Sequence, residues 1–169
     1  MIYRSIEHKT KNNILPLYLS LVRPHLEYCV QAWSPHYAKD IAKLERVQKR
    51  AVNMIRDLNS DSYHGKLKEL NLFSLEKRRV RGDLIETFKI LKDYDKVDSK
   101  LFFDLRQGNS RGHSYKIFKK SVRSDVRKYF FSQRVVDTWN RLLSGVVDST
   151  SIESFKNNLD KYFVECGLV

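Results

Sequence analysis

Cysteine, proline and glycine are all scarce in this chain, and each scarcity excludes something. Two cysteines, Cys29 and Cys166, are too few for a disulfide scaffold or a zinc finger. Such usage fits a reducing compartment, nucleus or cytoplasm. Three prolines and six glycines in 169 residues leave long uninterrupted segments and no glycine-rich loop to cradle phosphates. The longest run without charge, residues 12–22, contains Pro16 and is too short for a membrane span of about 20 residues. Arg4, Glu7, Lys9 and Lys11 interrupt any apolar stretch near the start, so no secretory leader is expected there. Clustered carboxylates are missing too. The acids stand singly, with no two aspartates adjacent, whereas polymerases and many nucleases hold two divalent metals about 4 Å apart between acids. No catalytic, cofactor or metal site is therefore expected in this chain.

Basic residues are plentiful. Thirty-two Lys and Arg face 20 Asp and Glu, a net charge of +12, while hydrophobic content is 41%. The chain should fold, and a polyanion is the partner its charge suits. The charge is also uneven. Residues 1–56 carry a net +6 and residues 104–134 a net +7, whereas residues 135–169 carry −2. Concentration of this kind favours a binding surface over general solubility.

Apolar spacing predicts a mainly α protein. Ile14, Leu17, Tyr18 and Leu21 recur at helical intervals before Pro24, and Leu26, Val30 and Trp33 continue to the Ser34–Pro35 break. From Lys39 to Leu58 the stripe is Ile41, Leu44, Ala51, Ile55 and Leu58, flanked by Val47 and Met54. Lys39, Lys43, Arg46, Lys49, Arg50 and Arg56 lie largely away from it. A short helix is expected over Tyr63–Leu70. A long one follows from an N-cap at Ser74 to about Tyr94, with Gly82 costing roughly 1 kcal/mol unless close packing requires it. Phe131, Val135, Trp139 and Leu142 predict a further helix. Thr150 with Glu153 reads as a capping box before the stripe Ile152, Phe155, Leu159 and Phe163. Residues 115–120 suit a short strand or an extended basic arm. The expected organisation is a helical region at 1–60, a long basic helix region at 61–94, a linker at 95–114 and a basic helical lobe at 115–169.

Two basic clusters are candidate phosphate contacts. Lys77, Arg78, Arg79 and Arg81 crowd the start of a helix, where the dipole already favours anions. Arg111, Lys116, Lys119, Lys120 and Arg123 interleave with Tyr115 and Phe118, a mixture suited to RNA, with cations on phosphates and rings on bases. Lys43 and Arg46 join the set. The plainer alternative makes the rings core and the cations a solvated face. Glu76, Asp83 and Glu86 read as ordinary helix-surface ion pairing with their basic neighbours. His25 and Cys29 stand four apart with His36 nearby, but a partly buried histidine and a buried thiol account for them without a metal.

Six segments, in order, resemble the C-terminal region of LINE-type, Jockey-like non-LTR retrotransposon reverse transcriptases. They are LYLSLVRPHLEYCVQAWSP, LERVQKRAVNMI, LNLFSLEKRRVRGDLIETFKIL, RGHSYK, VRKYFFSQRVVDTWNRL and SIESFKNNLDKYF. The resemblance implies a helical thumb-like bundle, Leu17 to about Leu58, that packs on a template–primer duplex, followed by a second small helical lobe belonging to the tail. It places the polymerase aspartates and the endonuclease residues of the parent, an RNA-directed DNA polymerase, upstream of these segments. Some related elements end in a cysteine–histidine knuckle, which this sequence lacks. The expected function is non-catalytic gripping of RNA or an RNA–DNA hybrid, with no membrane involved. The alternatives are a module that docks on an intact reverse transcriptase or on itself, and a transposon remnant without a selected role.

Overall fold

The computed structural model describes residues 6–106 and 112–166. The fold is mainly α. Its described residues divide into two compact units. One takes in those up to Cys29 together with Pro35–Arg79, and the other Val30–Ser34 together with those from Val80 onward. Among the described residues no helix is long and apolar enough to cross a membrane.

The first unit opens with helix α1, Lys11–Leu17, which passes through a π-helical turn at Tyr18–Val22 into α2, Arg23–Glu27. Pro24 has no N–H to continue the ladder, and widened turns of this kind absorb such defects. The Ser20 hydroxyl bonds back to the Pro16 carbonyl at 2.8 Å. The helix expected through Trp33 stops at Glu27, where Tyr28 is extended and Cys29 adopts a left-handed φ of 49°. Helix α3, Ala38–Met54, and the short α4, Tyr63–Glu69, follow. Ile14, Val52, Ile55, Leu67 and Leu70 form the core of this unit.

One polar residue lies at its centre. Gln48, fully buried, accepts from Tyr18 Oη at 2.6 Å and donates to the Phe73 carbonyl at 3.0 Å and Tyr63 Oη at 3.1 Å. Burial raises the Tyr18 and Tyr63 pKa values, so both phenols stay protonated donors. Val47, expected beside the buried stripe, is exposed instead. Position 48 is the one that shares a face with Leu44 and Val52.

Helix α5, Leu75–Leu91, gives its first turn to the first unit and the rest to the second. Ser74 caps it as expected, its Oγ accepting from Lys77 N at 3.3 Å. Asp93 ends it in a left-handed conformation, φ 56°. In the second unit, residues 95–106 do not loop free. Ser99–Leu101 form a 3₁₀ turn, Phe103 is buried in the core, and Leu105 pairs with Ile117 in an antiparallel bridge. The ambiguous 115–120 segment is therefore extended, and among the described residues this bridge is its sheet-like pairing. Asn140 fastens it, its side chain accepting from Ile117 N and donating to Ile117 O, both at 2.9 Å.

Short helices follow: α6, Asp125–Lys128; α7, Phe131–Arg134; α8, Val136–Asn140; and α9, Ser144–Val147. The single helix expected here takes the form of α7 and α8 meeting at Val135, and Phe131, Val135, Trp139 and Leu142 all remain buried. Helix α10, Ile152–Glu165, is capped by Ser151, whose side chain accepts from Ser154 N, one residue later than the expected Thr150. Its Phe155 stacks on Phe88 with ring centroids 4.2 Å apart.

Candidate nucleic-acid interface

The face of α3 opposite Gln48 is the clearest exposed basic surface among the described residues. Lys39, Lys43, Arg46 and Arg50 follow the i, i+4, i+7, i+11 spacing that lines one side of a helix, and all are exposed, with Lys49 beside them. At 1.5 Å per residue the row spans about 16 Å. Of the two acids of the same helix, one pairs with a member of the row and the other turns away from it. Asp40 is held by Lys43 at 2.9 Å, and that hydrogen bond lowers its pKa. Glu45 turns inward, accepting from Tyr63 Oη and, at 3.0 Å, from Leu75 N.

That last contact bears on the basic cluster at the start of α5. The helix N-terminus expected to take a phosphate is already served by the Glu45 carboxylate and the Ser74 hydroxyl. Its arginines are committed to partners within the chain. Arg78 forms a two-pronged pair with Glu27, one arm at 2.8 Å. Arg79 is 6% exposed and donates to the Leu26 carbonyl at 2.6 Å. Arg81 grips Asp160 at 2.7 and 2.9 Å. Lys77 is partly buried, and its pKa is lowered first by that burial and then by Lys68. The three arginines answer acids and a carbonyl far away in sequence, a use that local spacing does not reveal. Asp83, expected in surface pairing, is buried against Arg134 at 2.8 and 3.0 Å, and the same guanidinium donates to the Val30 carbonyl at 2.8 Å.

Of the second cluster, Arg111 lies outside the described residues. Lys116 is turned to the Asn140 carbonyl. Lys119 pairs with Asp137, and Lys120 with Asp104 at 2.6 Å, but these pairs are about half exposed. Ion pairs so wetted contribute about 0–1 kcal/mol and re-partner readily. Arg123 is exposed. Lys119 and Lys120 form one wall of a cleft of about 670 Å³, whose other walls include Ser121, Lys128, Tyr129, Gln133 and Asp137. Lys128 Nζ stands 5.4 Å from the centre of the Tyr129 ring. Gln133 is 7% exposed, and its Oε1 has no hydrogen-bond donor among the described residues. A buried carbonyl in that condition costs about 1–3 kcal/mol.

The site therefore regroups the expected residues. Lys43 and Arg46 stand in a row with Lys39 and Arg50, and Lys119 and Lys120 border a cleft with Lys128. The first row was legible from the helical period. Gln133 carries no sequence signal, because glutamine inside a buried stripe looks the same whether it is satisfied or not.

His25 and Cys29 are exposed rather than buried, since the chain turns outward after α2. Among the described residues no group of three His, Cys, Asp or Glu could hold a metal ion. Comparison of the chain with protein-family models, curated proteins and solved structures finds no match.

Proposed function

We propose that this chain is a nucleic-acid-binding, non-catalytic fragment of a non-LTR retrotransposon reverse transcriptase, which grips RNA or an RNA–DNA hybrid along the outer face of α3. The observation that carries the reading is the separation of charge on that helix. Lys39, Lys43, Arg46 and Arg50 point to solvent, while Glu45 is spent inside. A row about 16 Å long suits successive phosphates of one strand. The six resembling segments suggest the parent enzyme, and the span Leu17 to about Leu58 that the resemblance assigns to a thumb contains α2 and α3.

Contacts to phosphate from four cations predict a logarithmic salt slope of about −3.6 on duplex. Fluorescence titration of labelled RNA–DNA hybrid between low and moderate salt measures it. Arg46→Ala and Arg50→Ala should each flatten the slope by about 1. Binding indifferent to salt, or unchanged in both variants, would sink the proposal. Primer extension with the chain alone and magnesium should give no product, and extension above a control for contaminants contradicts the non-catalytic part.

A further inference from the structure

We propose that the cleft of the second unit seats one unpaired nucleotide of a single strand, a site separate in kind from the phosphate row on α3. The inference rests on the reading that the chain binds nucleic acid, and it names what part of a strand the second unit takes.

Size is the first argument. A cleft of about 670 Å³ is in the range of small-ligand sites and holds a nucleotide with room to spare. A paired base cannot enter such a concavity without leaving its stack. Chemistry is the second. The cleft combines the three groups that an exposed nucleotide uses. Lys119, Lys120 and Lys128 offer cations to its phosphate, and the first two are held only in half-exposed pairs that a phosphate can displace. The Tyr129 ring supplies a flat wall for the base, with the Lys128 ammonium 5.4 Å from its centre.

Gln133 is the third and most specific. The residue borders the cleft, is 7% exposed, and its Oε1, enclosed beneath the surface, has no donor among the described residues. Buried polar atoms in folded proteins find partners, and a turn of this side-chain amide brings its carbonyl to the cleft, where a ligand that carries an N–H satisfies it. Every nucleobase presents such a group on its Watson–Crick edge, as an exocyclic amine or a ring N–H. Inorganic phosphate does not. Phe118 and Phe130, about half exposed, neighbour Lys119 and Tyr129 in sequence and suit the bases on either side.

The test uses the full chain and a short single-stranded RNA carrying one 2-aminopurine, whose fluorescence falls when the base stacks. Binding should quench it. Gln133→Leu should weaken single-strand binding about tenfold and Lys128→Gln about threefold, in line with the worth of one base contact, while the affinity for blunt duplex RNA stays as it was. Thermal melts check that Gln133→Leu folds. Lys128→Gln and Ser121→Ala, both at exposed positions, carry the test if it does not. Equal losses on single strand and duplex would overturn the cleft, as would unquenched binding or competition by inorganic phosphate as strong as by mononucleotide. A free mononucleotide binding as tightly as the strand would make the ligand a metabolite and overturn the strand. Loss of all binding in the Arg46 and Arg50 variants, with the Gln133 variant unchanged, leaves the proposed function standing and this inference refuted.

Discussion

At the scale of single residues, three side chains decide more than their neighbours suggest. Gln48, on α3, joins the π-helical turn, α4 and the entry to α5 through Tyr18, Tyr63 and Phe73. Gln48→Leu strands the Tyr18 hydroxyl and the Phe73 carbonyl, and should cost about 2–3 kcal/mol in urea denaturation. Gly82 is the opposite case, because a Cβ there would meet nothing within 4 Å. Close packing does not require the glycine, so Gly82→Ala should stabilise by about 1 kcal/mol, seen as a higher melting temperature. His113 is 1% exposed and bonds through Nε2 to the Trp139 carbonyl at 3.2 Å. The ring therefore carries its proton on Nε2 and is neutral, and burial holds its pKa below the ordinary 6.5. The unfolded chain takes up the proton first. Stability from this site is complete above about pH 6.5 and drains as pH falls toward the lower folded value. Melting temperature should drop between pH 7 and 5, with a flatter profile in His113→Gln.

At the scale of elements, the helices whose polar and apolar faces separate cleanly were readable in advance. The short α4, the Ser74 cap and the α10 stripe stand where the 3.6-residue period puts them. Elsewhere, boundaries were set by interactions that no window of sequence contains. Helix α2 ends at Glu27 because the next residues leave for the other unit, with Val30 tied to Arg134. The α10 cap fell one residue late, since Thr150 and Ser151 are chemically interchangeable caps and the local fold chose between them. The α3 face was legible as a charge pattern. The α5 cluster was misleading for the same reason, because period and charge count are blind to Glu27 and Asp160. Breaking the long-range pair between Asp83 and Arg134 shows the difference. Asp83→Ala leaves the largely buried Arg134 guanidinium with only the Tyr129 and Val30 carbonyls and should cost about 3 kcal/mol by chemical denaturation. Lys43→Ala on the α3 surface should change stability by less than about 0.5 kcal/mol.

For the whole molecule, net charge pointed to a polyanion but did not say which cations meet it. Several of the 32 basic residues hold the fold together, so charge counted along the sequence overstates the binding surface. Domain order was the least legible property. Turn residues suggested a linker at 95–114, yet Phe103 and Leu105 are built into the second unit, and the compact division falls inside a helix. The second unit is discontinuous in the chain, and the hydrogen bond from Arg134 to the Val30 carbonyl, which spans 104 positions, ties its two pieces together. Residues 35–79 are thus an insertion within it. A fragment starting at Val80 would lack the segment that Arg134 clasps, so it should melt lower than the same unit in the intact protein. A circular permutant or a fusion that restores residues 30–34 should recover the difference. During synthesis the ribosome releases that clasped segment early and its partner late, so the second unit closes only after the inserted residues have emerged.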